Sequence, residues 1–334
     1  MKIRKITAFI ATLALLTGAL FSFSSCGEKT DAKYTVGICQ LAPHDALDAA
    51  TKGFKEQLKK ELGDDVTFIE KNAQGQAETC TTIINSFVTQ KVDLIMANAT
   101  AALQAAASGT TSIPILGTSI TEYGNALGIS DFSGTVGGNI SGTSDLAPLD
   151  QQAQMIKDLF PDAQTVGLLY CSSEPNSDYQ VKVVKEELQK LGYTCQNFAF
   201  TDSNDVTAVS AAAAACDVIY VPTDNTAANC TGAILGAIGD TPLIAGEKGI
   251  CSGCGVATLS IDYYDLGVAT AKMAAKILKG EANISEMKIE YSETFTKMYN
   301  PVRCAELNID TAALEAAGYI AIETESDTTD TSES

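Results

Sequence analysis

Apolar residues along this chain recur in two alternating rhythms. Short apolar runs closed by polar residues read as strands of a parallel sheet buried on both faces: 34–39 (YTVGIC), 66–70 (VTFIE), 92–97 (VDLIMA) and 113–118 (IPILGT). Between them the spacing turns helical. Ala50, Gly53, Phe54, Leu58 and Leu62 form one stripe stopped by Gly63, Ile83, Ile84 and Phe87 form another within 76–90, and an Ala-rich stretch fills 99–107. The rhythm restarts near Pro148, with a helix over 149–160, strand TVGLLYC, and a helix over 175–191 carrying Val181, Val184, Leu188 and Leu191 on one face. Strand TCQNFAF, helix 205–215, strand DVIYVP and helix 226–238 follow; TPLIAG and GVATLS are further strand candidates. A last helix runs over 262–279 through Leu266, Met273 and Ile277. Such alternation predicts α/β layers linked by right-handed crossovers. The Gly-rich stretch 124–142 divides two such runs, so the expected architecture is two similar lobes joined by a hinge, each a parallel sheet flanked by helices. No repeat of 20–50 residues is present, which excludes a solenoid.

The expected division gives 34–145 plus 263–283 to lobe 1 and 146–262 plus 284–322 to lobe 2. The chain then crosses between lobes near 141–147, 260–262 and 282–287. Ligands of parallel sheets meet the loops beyond the carboxyl ends of the strands, and two facing lobes line one cleft that closes by hinge motion. The polar residues at those ends are the candidate site. The first lobe offers Gln40, His44, Asn72, Gln74, Thr100, Thr118 and Ser119; the second offers Glu174, Asn176, Ser177, Asp224, Asn225 and Glu247, with Asp262 and Tyr263 after GVATLS. Many of these stand at helix starts, where Asp, Ser, Thr and Asn also cap. Asp224 either pairs with a ligand ammonium or caps the helix that follows; Thr100 and Ser119 either meet an anion or cap. Of Tyr263 and Tyr264, one is expected in the core and the other against a ligand ring.

The chain ends change the picture of where this happens. Lys2, Arg4 and Lys5 precede an apolar run from Ala8 to Leu20, short of the roughly 20 residues needed to cross a bilayer. Ser24 and Ser25 then lead into Cys26 and Gly27. This order resembles a bacterial lipoprotein signal, which implies a leader over 1–25, lipid on Cys26 and a polar tether over 26–33. An ordinary secretory leader is the alternative. Residues 323–334 lack the apolar surface to offset ordering and are expected to be a disordered acidic tail.

Composition narrows the partners. A formal charge of −19 disfavours nucleic acid and anionic membranes. There is one histidine, His44, so a metal centre and a Ser or Cys hydrolase lack their usual partners; no cofactor is expected, and with no tryptophan a sugar site would lack its usual platform. Ser133–Asp145 (SGTVGGNISGTSD) lacks the lysine and the strand-turn-helix setting of a phosphate loop and reads as a hinge-side loop. Of ten cysteines, one is Cys26; Cys251 and Cys254 form a C-x-x-C in what reads as a Gly-rich turn between strands, where a local disulfide or two idle thiols is expected, and most of the remaining seven read as buried thiols.

QLAPHDALDAATKGF, NAQGQ, ANATAALQA, IPILGTSIT, SGTSD, EPNS, YVPTDN and ATLSIDYYDLG occur in the order found in one group of proteins. The chain resembles, from about residue 33 to 323, the tryptophan/tyrosine-type substrate-binding proteins of ABC transporters, with the type I periplasmic-binding fold. Asp45, Ala101 and Gln76 depart from that pattern. The resemblance implies a lipid-anchored, monomeric, extracytoplasmic binder rather than an enzyme. It would deliver a small molecule, an aromatic or other apolar amino acid, to an ABC permease in the membrane. A sensor feeding a membrane kinase, or a binder of a nucleoside, sugar or peptide, uses the same cleft.

Overall fold

Strand β1 (Tyr34–Gln40) sends Val36 and Ile38 to one face of its sheet and Cys39 to the other, and all three are fully buried. β3 (Leu94–Asn98) does the same with Leu94 and Met96 against Ile95 and Ala97. β2 (Val66–Asn72), β4 (Ile115–Ile120) and β5 (Ile140–Ser144) complete a parallel run in the order β5-β4-β3-β1-β2. The computed structural model describes residues 32–323; the expected leader, the lipidation site Cys26, most of the tether and most of the acidic tail lie outside them.

The second sheet repeats the plan. β6 (Thr165–Cys171), β7 (Thr194–Phe200), β8 (Val218–Val221), β9 (Leu243–Ala245) and β10 (Ala257–Ser260) run parallel in the order β10-β9-β8-β6-β7. Each sheet has an apolar cluster on each face, the double burial that continuous hydrophobic strands demand.

The chain passes between the sheets at residues 145–148 and 261–262, and a third time later than the alternation suggests. Ile284 packs against the first lobe, and β11 (Glu290–Tyr291) pairs in parallel with β5. The expected second-lobe segment 284–322 therefore begins within the first lobe, and the third passage is residues 292–295 rather than 282–287. β12 (Thr296–Tyr299) enters the second sheet antiparallel to β10, and β13 (Ile320–Ala321) pairs in parallel with β12. The sheets thus have six and seven strands.

Three local expectations are corrected. The Gly-rich 133–145 stretch is not all loop, because 140–144 forms β5; Gly142 at φ 146 sits where a side chain would meet the Gly117 backbone and the Tyr123 hydroxyl. The helix expected over 226–238 is two, Asn225–Asn229 and Thr231–Ile238, broken at Cys230 (φ −117, ψ 15). The C-x-x-C lies in helix Lys248–Cys254, not in a turn, and Cys251 and Cys254 are buried free thiols like the other interior cysteines.

Helix Tyr263–Leu278 follows a second-lobe strand yet lies on the first sheet against helix Asp45–Leu62. The two helices meet backbone to backbone. A Cβ on Gly53 would collide with the Tyr264 carbonyl oxygen, and one on Gly267 with the Ala50 carbonyl oxygen. Thr270 ties the second helix to the sheet through hydroxyl bonds to Thr118 (3.1 Å) and Thr143 (2.8 Å). Overpacking this contact predicts that Gly53→Ala and Gly267→Ala each lose about 1–3 kcal/mol. Gly232→Ala, exposed in a helix with open space around it, gains roughly 0.5–1 kcal/mol from helix propensity. Urea denaturation of the three variants checks both signs; a neutral Gly267→Ala contradicts the close approach.

Candidate ligand-binding site

Because both sheets point the carboxyl ends of their parallel strands at each other, the loops leaving β4, β5, β8 and β9 meet across one cleft. The first lobe supplies His44, Ser119, Thr121 and Asp145 to its lining; the second supplies Asn176, Thr223, Asp224, Asn225 and Glu247, and Tyr263 stands at the crossing. The lobes touch directly. His44 Nε2 lies 3.1 Å from Asn225 Oδ1, and Asn125 Nδ2 donates to the Pro175 carbonyl oxygen at 3.0 Å. The lobes close the cleft down to a cavity of about 10 Å3. A larger groove beside it, on the flank of helix Asp45–Leu62, takes in Asp262, Glu247 and Arg303.

Four buried carboxylates surround the cleft, and their donors distinguish them. Glu174 accepts from the Thr226 amide (2.8 Å) and hydroxyl (2.7 Å) with one oxygen, and from the Asn225 amide (3.0 Å) and side chain (2.7 Å) and Asn176 (3.2 Å) with the other. It holds the start of helix Asn225–Asn229. Asp224 caps the same helix, accepting from the Ala227 amide at 2.8 Å, while its second oxygen takes the Cys171 amide at 2.7 Å. Burial first, and then the Glu174 charge, push the Asp224 carboxyl up to about 7. Glu247 caps helix Lys248–Cys254 through the Gly249 and Ile250 amides, both at 2.6 Å, and burial raises its pKa too. Asp145 differs. Its Oδ2 accepts the Tyr263 hydroxyl at 3.0 Å, and its Oδ1 has no partner although the residue is only 5% exposed. Burial pushes its carboxyl up to about 6. Ser119, 6% exposed and at φ 55, likewise has an unpartnered hydroxyl.

The structure therefore brings together His44, Ser119, Asn176, Asp224, Asn225, Glu247 and Tyr263, all anticipated from strand ends. Others serve elsewhere. Gln40 braces the first helix, bonding the Ala42 carbonyl oxygen, Asp48 and Thr51. Thr118 belongs to the threonine cluster under helix Tyr263–Leu278. Asn72 and Gln74 close a surface turn, with Asn72 Oδ1 accepting the Gln74 amide at 2.8 Å. Thr100 is buried at the start of helix Thr100–Gly109 and does not line the cavity. Ser177 is fully buried behind Asn176, Glu174 caps, and exposed Asp262 caps its own helix through the Asp265 amide. Tyr263 is the buried tyrosine, whereas Tyr264 is outside, bonded to Glu56. Thr121, Thr223 and Asp145 were missed. Asp145 follows the last residue of β5, so the same strand-end rule points to it once that strand is recognised.

Among the described residues no cluster of three or more His, Cys, Asp or Glu side chains could hold a metal, and no helix is long and apolar enough to cross a membrane. Two α/β lobes closing on a polar, buried cleft define a solute-binding protein. Residues 35–316 match the family described as ABC transporter substrate binding protein, and the chain belongs to that family. It is a family of binding proteins, not enzymes. The chain is 34% identical over 289 residues to a tyrosine-binding protein of Clostridioides difficile, covering 83% of this chain and 84% of that one. A Streptococcus pneumonia ABC domain solved in complex with L-Trp superposes with a TM-score of 0.81 at 31% identity, covering 86% of this chain and all of that one. A ligand-free, open substrate-binding protein with adhesive properties from Clostridium difficile gives 0.67 at 33% identity, over 87% of this chain and 100% of that one. The better match to the liganded form agrees with the direct contacts across the cleft.

A buried carboxyl titrating near 6 holds its proton in the folded state above the roughly 3.9 of an unfolded aspartate, so its contribution to stability falls as pH rises between those values. Asp145 faces Glu247, Tyr263 and Tyr123; burial keeps both phenols neutral well past this range. Asp145→Asn removes that penalty. The ligand-free variant should be more stable than the parent by roughly 1–3 kcal/mol at pH 7.5 and should converge with it near pH 4. Denaturation at both pH values checks this; equal stability at pH 7.5 contradicts a charge buried at Asp145.

Proposed function

We propose that this protein is the extracytoplasmic, lipid-anchored receptor of an ABC importer and that its cargo is an aromatic amino acid. The observation carrying the cargo class is the interlobe cleft, where buried carboxylates from both lobes and the unpartnered Ser119 hydroxyl face one another. A zwitterion needs both kinds of group pre-oriented out of water. Ala46, Leu47 and Ala228 give the cavity an apolar wall, which suits a hydrophobic side chain. The tyrosine-binding relative and the neighbour solved with L-Trp support the same cargo. Ser119 is the anticipated residue we place against the polar end of the ligand, with Asp224 and Glu247 fixing the helix starts around it and His44 and Asn225 latching the lobes over it. Lipid at Cys26 rests on the order of basic, apolar and small residues before it.

Thermal-shift measurements with L-tyrosine, L-tryptophan, nucleosides and sugars test the cargo. A ligand that binds only the folded protein stabilises it by about 2.7 kcal/mol at a hundred times its Kd, so an aromatic amino acid should raise Tm by about 5 °C or more. A shift with a sugar or nucleoside alone rejects this cargo. For the anchor, Cys26→Ser should move the protein out of the membrane fraction or leave an uncleaved precursor; a processed, lipid-free N-terminus in the parent rejects it.

A further inference from the structure

We infer that Asp145, held by Tyr263, is the acceptor for the ligand's α-ammonium group, and that the Ser119 hydroxyl meets its carboxylate. This assignment rests on the amino-acid reading above and adds which side chain reads which end of the ligand.

An ammonium needs a carboxylate oxygen with a free lone pair and few competing donors. Both oxygens of Glu174 are occupied by five donors that fasten the start of one helix. Asp224 spends one oxygen on its own helix and the other on the end of β6. Glu247 spends both on amides of the helix that it caps. In each, an ammonium would compete with backbone donors whose loss unravels a helix start. Asp145 lines the cavity and its Oδ1 lies out of water with no hydrogen-bond partner, the Tyr263 and Thr121 hydroxyls being the side-chain donors beside this carboxyl. Leaving such an atom unpaired costs free energy in the empty protein, and an ammonium delivered by the ligand recovers it. Ser119 Oγ is the other cavity-lining side-chain oxygen that is buried without a partner. It sits in the left-handed region at φ 55, at an irregularity in the β4–β5 pairing, so the backbone there is bent out of the regular strand where this hydroxyl meets the cavity.

The position of Asp145 has a mechanical consequence. It opens the first passage between the sheets, and Tyr263 is the first helical residue after the second passage. Their hydrogen bond therefore joins two of the three connecting strands.

Calorimetric titration of the full chain with two matched pairs tests the assignment: L-tyrosine against 3-(4-hydroxyphenyl)propionate, and L-tryptophan against indole-3-propionate. Each pair differs by the amino group alone. The parent should prefer the amino acid by roughly ten- to a hundredfold, the range for a hydrogen bond to a charged group. Asp145→Asn should collapse that ratio towards one, mainly by weakening the amino acid. Ser119→Ala should weaken both members of a pair by a common factor and leave the ratio standing. Should Asp145→Asn fail to fold, Tyr263→Phe carries the test, and the ratio should fall at least threefold. A ratio unchanged in Asp145→Asn, or in Tyr263→Phe where that variant stands in, overturns the assignment while the amino-acid reading survives. A parent that binds neither amino acid overturns that reading and the assignment with it.

Discussion

A carboxylate removed from water costs several kcal/mol unless donors surround it, and the cleft of this protein has to accommodate Glu174, Asp224, Glu247 and Asp145 with almost no exposure. Much of the local architecture answers that requirement. Two short helices begin where they do because a carboxylate satisfies their first free amides: Asn225–Asn229 under Asp224 and Glu174, and Lys248–Cys254 under Glu247. The helix starts, in turn, make it possible to keep three acids in the interior. What remains is one carboxylate oxygen, on Asp145, that the protein does not satisfy by itself. A network complete but for that oxygen and the Ser119 hydroxyl is how a preformed site differs from a packed core.

The second constraint is the backbone contact between helices Asp45–Leu62 and Tyr263–Leu278 at Gly53 and Gly267. It seats on the first sheet a helix that leaves the second one, so the chain must recross after it. That helix carries Tyr263 at its first turn and Thr270 in its interior, one bonded to Asp145 and the other to the strand-end threonines. The hinge, the packing of the first lobe and the polar end of the cleft are therefore fastened through a single element. Closure is read directly from the His44–Asn225 and Asn125–Pro175 contacts.

The fold was legible where both faces of a strand are buried, because VGIC, LIMA, VGLLY and VIYV have no other stable reading in an α/β chain. It was obscured where glycine stands in for side chains. Ile140–Ser144 reads as a loop by composition, and only the tight crossing of Gly142 over Gly117 shows why a strand there is glycine-rich. The two-residue strands β11 and β13 leave no periodic signal, so the third passage was misplaced. The site was legible to the same degree. The strand-end rule reached Ser119, Asp224 and Glu247, yet it gave equal weight to Gln40 and Thr118, which brace the interior. Residue type cannot separate a cap from a ligand contact, since both ask for the same oxygen; the separation comes from counting the donors around each one.

The central claim is that an amino acid is held between the lobes with its charged end at the hinge. A crystal structure of the protein grown with L-tyrosine tests it most directly. The account predicts the α-amino nitrogen within about 3.2 Å of Asp145 Oδ1, the ligand carboxylate beside Ser119, and the His44–Asn225 contact retained. A tyrosine bound in the closed cleft with its amino group on Asp224 or Glu247, or one bound outside the cleft altogether, contradicts it.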